Sequence, residues 1–197
     1  MDRISRPELT LPEAEAATLG AAYERANVIL EYGSGGSTVM AGALPGKQVF
    51  AVENDKAWAL MMREWFAQNP PNGGTAVDII WNDTGETKAW GYPKDTAHYL
   101  RYPQYALKVW ELDEFRQPDV VFVDGRFRTG CILACALRTG RPVRVFVDDY
   151  LDRETYRAVE VFVGAPRMHG RMAEFSVEPM ALEAEHLLDV IDMMIRP

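Results

Sequence analysis

Carboxylates dominate the residues of this chain that could do chemistry. Glu31, Glu53, Asp83, Asp124, Asp148 and Asp149 each stand at, or just past, the end of a short apolar run. Around the first of them lies a glycine turn, Glu31-Tyr32-Gly33-Ser34-Gly35-Gly36-Ser37-Thr38. Glycines let a ligand approach the backbone, and the amides of a helix start, capped by Ser37 or Thr38, would face it. The pyrophosphate fingerprint G-x-G-x-x-G is incomplete, because Thr38 stands where the third glycine belongs. Glu31 would also repel a pyrophosphate; it suits a ligand that presents an ammonium or another cation. Glu53 follows about 20 residues later, at the end of the next apolar run, where a carboxylate holds ribose hydroxyls. Taken one at a time, an ordinary strand-to-helix turn and acids serving as N-caps explain these residues; an acid at five successive run ends is harder to explain that way.

Such residues need a scaffold that gathers them. The apolar runs Val28–Glu31, Gln48–Val52, Val77–Trp81, Asp119–Val123 and Val143–Val147 predict buried strands. Helices are predicted between them. The first starts at a capping box, Thr10-Leu-Pro12-Glu13, and runs to Ala26. A short one spans about Ser37 to Leu44. A third, capped by Asn54 or Asp55, runs through Trp58, Met61, Met62, Trp65 and Phe66 to the breaker Asn69-Pro-Pro-Asn-Gly-Gly74. Others follow from about Phe127 to Arg138, from an Asp152 cap to about Val163, and from Met180 to Ile195. Met172–Val177 reads as one arm of a hairpin turning at Gly170. This alternation predicts an α/β three-layer sandwich with a mostly parallel, doubly wound sheet. Ligands of such sheets lie outside the carboxyl ends of the strands, so all six acids should line one crevice. Trp58 is expected in the core rather than beside a ligand. Residues 86–117 are rich in aromatics, from Trp90 to Trp110, and weak in periodicity, with a helix expected from about Gln104 to Phe115. They read either as a covering insertion over the crevice or as helix packing plus loop.

With 197 residues the chain suits one domain, residues 1–197, opened by an N-terminal helical segment, 1–27. A formal net charge of -8 argues against nucleic acid or an anionic membrane surface as the main partner. No apolar run is long enough to span a bilayer, and the first residues lack the apolar stretch of a signal peptide. Cys131 and Cys135, one helical turn apart, suit two small buried residues better than a disulfide. A cytoplasmic protein with a small-molecule partner is expected, and a homodimer is left open. His98 and His169 lack metal-ligand spacing and read as structural or exposed.

The order acid-x-Gly-x-Gly at a strand end resembles motif I of the class I S-adenosylmethionine-dependent methyltransferases, with Ser37 in place of the usual third glycine. Their cofactor carries an adenosine, a sulfonium and an ammonium but no phosphate, in keeping with Glu31. The resemblance covers roughly residues 28–150. It is closest to a bacterial group of small methyltransferase-like proteins with a G-S-G-G-S-T loop, V-D-G-R-F-R after strand four and D-D-Y after strand five. Here those are Gly33–Thr38, Val123–Arg128 and Asp148–Tyr150. It implies cofactor contacts from Glu31, Gly33, Ser34, Gly35, Ser37, Thr38, Glu53, Asn54, Asp83, Thr84 and Asp124, with Asp83 toward the adenine amino group. It implies methyl transfer to a small-molecule nucleophile, chiefly a hydroxyl, catalysed by alignment and by Asp124 or Asp148 as the base. Arg126 or Arg128 could hold an anionic substrate group or simply pair with an acid; Arg126 and Tyr150 are placed beside substrate. Asp124, Asp148 and Asp149 also resemble the acids of magnesium-dependent sugar O-methyltransferases, where Mg²⁺ orients the acceptor hydroxyl. Neutralisation by arginine, with Asp149 capping the next helix, is the other reading. Two further functions stay open: an NAD-dependent oxidoreductase, which Glu31 and the missing glycine oppose, and a methyltransferase fold that binds without turnover.

Overall fold

The computed structural model describes residues 4–197. Met1 to Arg3, part of the expected helical segment and of the stretch read for a signal peptide, lie outside the described residues. In chain order the elements are α1 (Glu13–Arg25), β1 (Val28–Tyr32), α2 (Gly36–Gly42), β2 (Gln48–Glu53), α3 (Lys56–Gln68) and β3 (Ala76–Trp81). Two short strands follow, β4 (Thr87–Lys88) and β5 (Tyr92–Pro93), then α4 (Tyr102–Leu107) and β6 (Val120–Val123). The chain closes with α5 (Arg128–Arg138), β7 (Val143–Val147), α6 (Glu160–Val163), β8 (Arg167–His169), β9 (Met172–Val177) and α7 (Leu187–Ile195). No helix is long and apolar enough to cross a membrane among the described residues.

Seven strands form one sheet in the order β3-β2-β1-β6-β7-β9-β8. β3, β2, β1, β6 and β7 are parallel; β9 runs antiparallel to β7 and pairs with β8 in the hairpin expected at Gly170. All four residues of β6 are buried, as the double covering of a parallel sheet demands. Leu30, Tyr32, Val121 and Val123 pack toward α4, α5 and α7. Their neighbours Ile29, Val120 and Phe122 pack toward α1. Cys131 and Cys135 are free thiols buried in α5, as their spacing suggested.

Local signals at several helix ends were overruled. α1 begins after Pro12, and Thr10 caps nothing. Gly35, rather than Ser37 or Thr38, is the N-cap of α2. Asp55 does cap α3, accepting from the Trp58 amide at 2.9 Å. Asp152 does not cap: a 3₁₀ turn, Glu154–Val159, opens after Arg153 and leads into α6. The last helix is shorter than its amphipathic pattern, starting at Leu187. In the aromatic insertion, Tyr102, Tyr105, Ala106 and Val109 belong to the main core, so only the part before Tyr102 lies outside it.

From β1 the chain winds outward through β2 and β3, then returns past β1 to β6. The winding direction therefore reverses between β1 and β6, where a doubly wound sheet opens its crevice. There two turns meet. The Gly33 amide donates to Val52 O at 2.8 Å, and the Gly125 amide donates to Tyr32 O at 2.6 Å. Gly33 has φ +104°, and a Cβ on it would sit 2.8 Å from Gly125 N. Gly35 has extended backbone and open space around its Cβ position. We expect Gly33→Ala to cost roughly 2–4 kcal/mol in urea unfolding, from left-handed strain plus backbone overlap. Gly35→Ala should unfold within about 0.5 kcal/mol of wild type. Equal effects at the two positions would refute this division of roles.

Candidate active site

A cavity of about 360 Å³ opens at this reversal. Loop Gly33–Ser37 lines it, together with Glu53, Asn54 and Trp58 after β2 and Asp124, Gly125 and Arg126 after β6. Trp90 and Gly91 of the insertion and the segment Glu8–Thr10 complete the lining. Four parts of the chain far apart in sequence thus converge on the glycine loop, and of the six strand-end acids only Glu53 and Asp124 are in the lining.

Glu53 is buried and grips the chain around it. One oxygen accepts from the Ser34 amide and hydroxyl at 3.2 and 3.0 Å; the other accepts from the amides of Asn54 and Asp55 at 2.9 and 3.0 Å. Burial raises its pKa, and these four bonds pull back without cancelling the shift. Trp58 is not a core residue as expected. It is 41 % exposed, with its indole N–H donating to Ser34 O at 2.8 Å beside the cavity. Asn54 donates to Thr84 Oγ1 at 3.0 Å and to Gly91 O at 2.8 Å, joining the β2 turn to the insertion.

Several predicted contacts are elsewhere. Glu31 does not face the cavity. Side chains alternate along a strand, and its turn falls toward α1 and α2, where it is fully buried. It accepts from Tyr23 Oη at 2.6 Å and from Thr38 Oγ1, which in turn accepts from the Gly35 amide at 3.0 Å. Thr38 is buried with it, so both residues brace the loop from behind and neither lines the cavity. Burial pushes Glu31 up to about 7, opposed by the bonds from Thr38 and Tyr23 and aided by the charge of Asp124. Asp83 is half-exposed and pairs with Arg101 at 2.6 Å, outside the cavity, while Thr84 is buried under Asn54. Tyr150 is buried away from the cavity, its hydroxyl donating to Glu160 at 2.8 Å. His169 pairs with Glu174 at 2.7 Å, a structural contact as expected.

The three aspartates after β6 and β7 do converge, each offering an oxygen within 4.8 Å of the others. Their charge is already answered by two arginines. Arg171, from the β8–β9 turn, binds both oxygens of buried Asp148 at 2.9 and 2.7 Å and approaches Asp149 at 3.3 Å. Arg128 binds Asp124 at 3.0 Å and lies 3.7 Å from Asp149. Mg²⁺ does not fit this arrangement: an ion among the carboxylates would meet two guanidiniums, and both oxygens of Asp148 already accept from Arg171. Asp148 and Asp149 do not line the cavity, which removes Asp148 as a base and Tyr150 as its substrate-side neighbour. Nor does Asp149 cap a helix; it sits in the left-handed region at φ +52°. Only Asp124 reaches the cavity, with its side chain about one-third exposed (35 %). Burial raises its pKa to about 6, against the pull of Arg128 and with a push from Asp148 and Asp149.

Of the two candidate arginines, Arg128 is thus committed to acids and Arg126 lines the cavity. The residues missed in the sequence are Arg171 and the segment Glu8–Thr10. A Cβ on Gly36 would overlap the backbone of Glu8 and Leu9, so that glycine admits the segment rather than a ligand.

No protein-family model and no curated protein matches the chain. Among solved structures, it is 55 % identical to a methyltransferase-like protein from Silicibacter pomeroyi, over 98 % of this chain and 99 % of that one, with a TM-score of 0.95. The chain belongs to that methyltransferase-like family. Its architecture is the class I S-adenosylmethionine methyltransferase fold. Likeness in fold extends to cofactor-bound Rv0187 from MTB, 16 % identical over 90 % of this chain and 85 % of that one (TM-score 0.55). It extends also to the O-methyltransferase TomG from Streptomyces achromogenes in complex with SAM, 14 % identical over 87 % and 83 % (TM-score 0.52).

The buried Glu31 gives a test by pH. Its folded pKa lies above its unfolded value, so folding takes up a proton and its contribution to stability is lost as pH rises from about 4.5 to about 7. Glu31→Gln cannot titrate. The stability of the variant relative to wild type should rise across that window by ~3 kcal/mol, read by thermal melts in matched buffers. A flat difference would mean that Glu31 is ionised throughout.

Proposed function

We propose that this methyltransferase-family protein binds S-adenosylmethionine in the cavity at the β1–β6 reversal and methylates a hydroxyl of a small molecule. The observation that carries the reading is the convergence of loop Gly33–Ser37, Glu53 and Asp124 on one cavity. The residues fit the cofactor. Gly35 leaves its face of the loop open. The Ser34 hydroxyl bond to Glu53 is the one a ribose diol can replace, and the half-exposed Trp58 indole offers a flat face beside it. The acids of the lining suit a cationic ligand without phosphate. When bound, the cofactor supplies an electrophilic methyl group.

The chain's own part is alignment and proton removal. Asp124, with a pKa raised to about 6, is ionised at neutral pH yet basic enough to take the hydroxyl proton as the oxygen bonds to carbon. Its bond to Arg128 fixes the carboxylate while part of the side chain faces the cavity. Arginine neutralisation of Asp148 and Asp149 supports a reaction without a metal.

Calorimetry with S-adenosylhomocysteine tests the cofactor. We expect binding, weakened at least tenfold in Glu53→Ala by loss of bonds to a charged acceptor, each about 1.5–3 kcal/mol. Tight binding of NADH with none of S-adenosylhomocysteine would overturn the assignment. Turnover of an identified acceptor should rise with pH through about 6, vanish in Asp124→Asn and survive EDTA.

A further inference from the structure

We propose that the methyl acceptor carries a carboxylate, received by the guanidinium of Arg126. This rests on the cofactor reading above. Arg126 is only 7 % exposed, and it lines the cavity. Among the described residues it makes no ion pair, and its Nε, buried, has no hydrogen-bond partner. A buried cation without a direct ion pair is costly, and the neighbouring Arg128 and Arg171 are both paired with acids. The guanidinium rests on the ring of Tyr92, 4.1 Å from its centroid, which fixes its plane without neutralising it. Burial pushes the Tyr92 phenol up, yet the charges of Arg126 and Arg153 bring it below its ordinary value, so cations address this ring from two turns.

The lining chooses the anion and its owner. Glu8, Glu53, Asp55 and Asp124 share the cavity with this one cation, a setting that disfavours a phosphate dianion more strongly than a singly charged carboxylate held directly on the guanidinium. A planar fork matches a carboxylate with two parallel bonds. Arg126 and Arg153 follow β6 and β7, whereas the groups assigned to adenosine follow β1 and β2. The anion therefore sits on the acceptor side, two residues from the base Asp124. A small hydroxycarboxylate, its hydroxyl at Asp124 and its carboxylate on Arg126, is the acceptor class.

The Nε–Hε resonance of Arg126 in ¹⁵N-labelled full-length protein reads this directly. Arg126→Lys assigns the signal, with Arg126→Gln as a second assignment variant. Acetate is the probe, against sodium chloride at matched ionic strength, in protein with and without S-adenosylhomocysteine. We expect a saturable acetate shift in both. If acetate has no effect on the loaded protein and the resonance moves with S-adenosylhomocysteine but not with 5′-methylthioadenosine, the anion is the cofactor's own carboxylate and the proposal falls. If nothing moves the resonance, it falls as well. If S-adenosylhomocysteine perturbs no resonance anywhere while acetate still shifts Arg126, the carboxylate site stands and the cofactor reading fails.

Discussion

Backbone touches backbone where the turns after β1 and β6 meet, and the site depends on that contact. Gly33 and Gly125 lie so close that a methyl group on Gly33 would overlap the Gly125 amide. Only glycine permits the approach, because the atom that would separate the strands' ends is absent. The contact lets Tyr32 O receive the amides of both Asp124 and Gly125, at 2.9 and 2.6 Å, so the β6 turn is hung from the end of β1. Asp124 and Arg126 flank that glycine and inherit its position. Gly36 repeats the device with a different partner, admitting Glu8 and Leu9 against the loop. A loop whose glycines suggest ligand contact thus needs two of them for packing against the chain itself, and Gly35 alone has open space where a Cβ would stand.

The charges beyond that contact are sorted by the same turns. Arg128 donates to Gly125 O and Asp124 O, each at 3.0 Å, and to Asp148 O, so its guanidinium ties the β6 turn to the β7 turn. Arg171 adds the β8–β9 hairpin through Asp148. Three carboxylates this close would otherwise repel one another or take up protons. With two cations among them, they form a clamp between three turns. The clamp leaves one carboxylate, Asp124, open to the cavity and one cation, Arg126, with no acid to bind. The same sorting explains why the acid-rich ends of neighbouring strands do different work: Asp148 holds the turns together, and Asp124 is positioned by that hold.

Most of the fold was legible in the sequence, because runs such as Val143–Val147 and the breaker at Pro70-Pro71 leave little choice of structure. The crevice was legible too, since the order of strands and helices decides where the winding reverses. Side-chain direction was not. In a strand buried on both faces the neighbours of Glu31 are apolar on either side, so nothing in Val28–Tyr32 marks which face Glu31 takes; Tyr23 and Thr38 reveal it only once α1 and α2 are packed. Helix caps failed for a related reason: Thr10 and Asp152 carry the right side chains, but tertiary packing set where the helices begin. Arg171 was out of reach for a different one. Only the pairing of Val147 with Ala173 brings it beside Asp148. Trp90 shows the limit from the other side. Its left-handed backbone, φ +63°, is costly for so bulky a residue, of order 1–3 kcal/mol, and no local signal calls for it. The strain is held by the β4–β5 pair around it and by Asn54, whose amide grips Gly91 O. The bond that holds the insertion thus comes from the two-residue turn between β2 and α3, Asn54 and Asp55, and that turn is fixed by the carboxylate of Glu53.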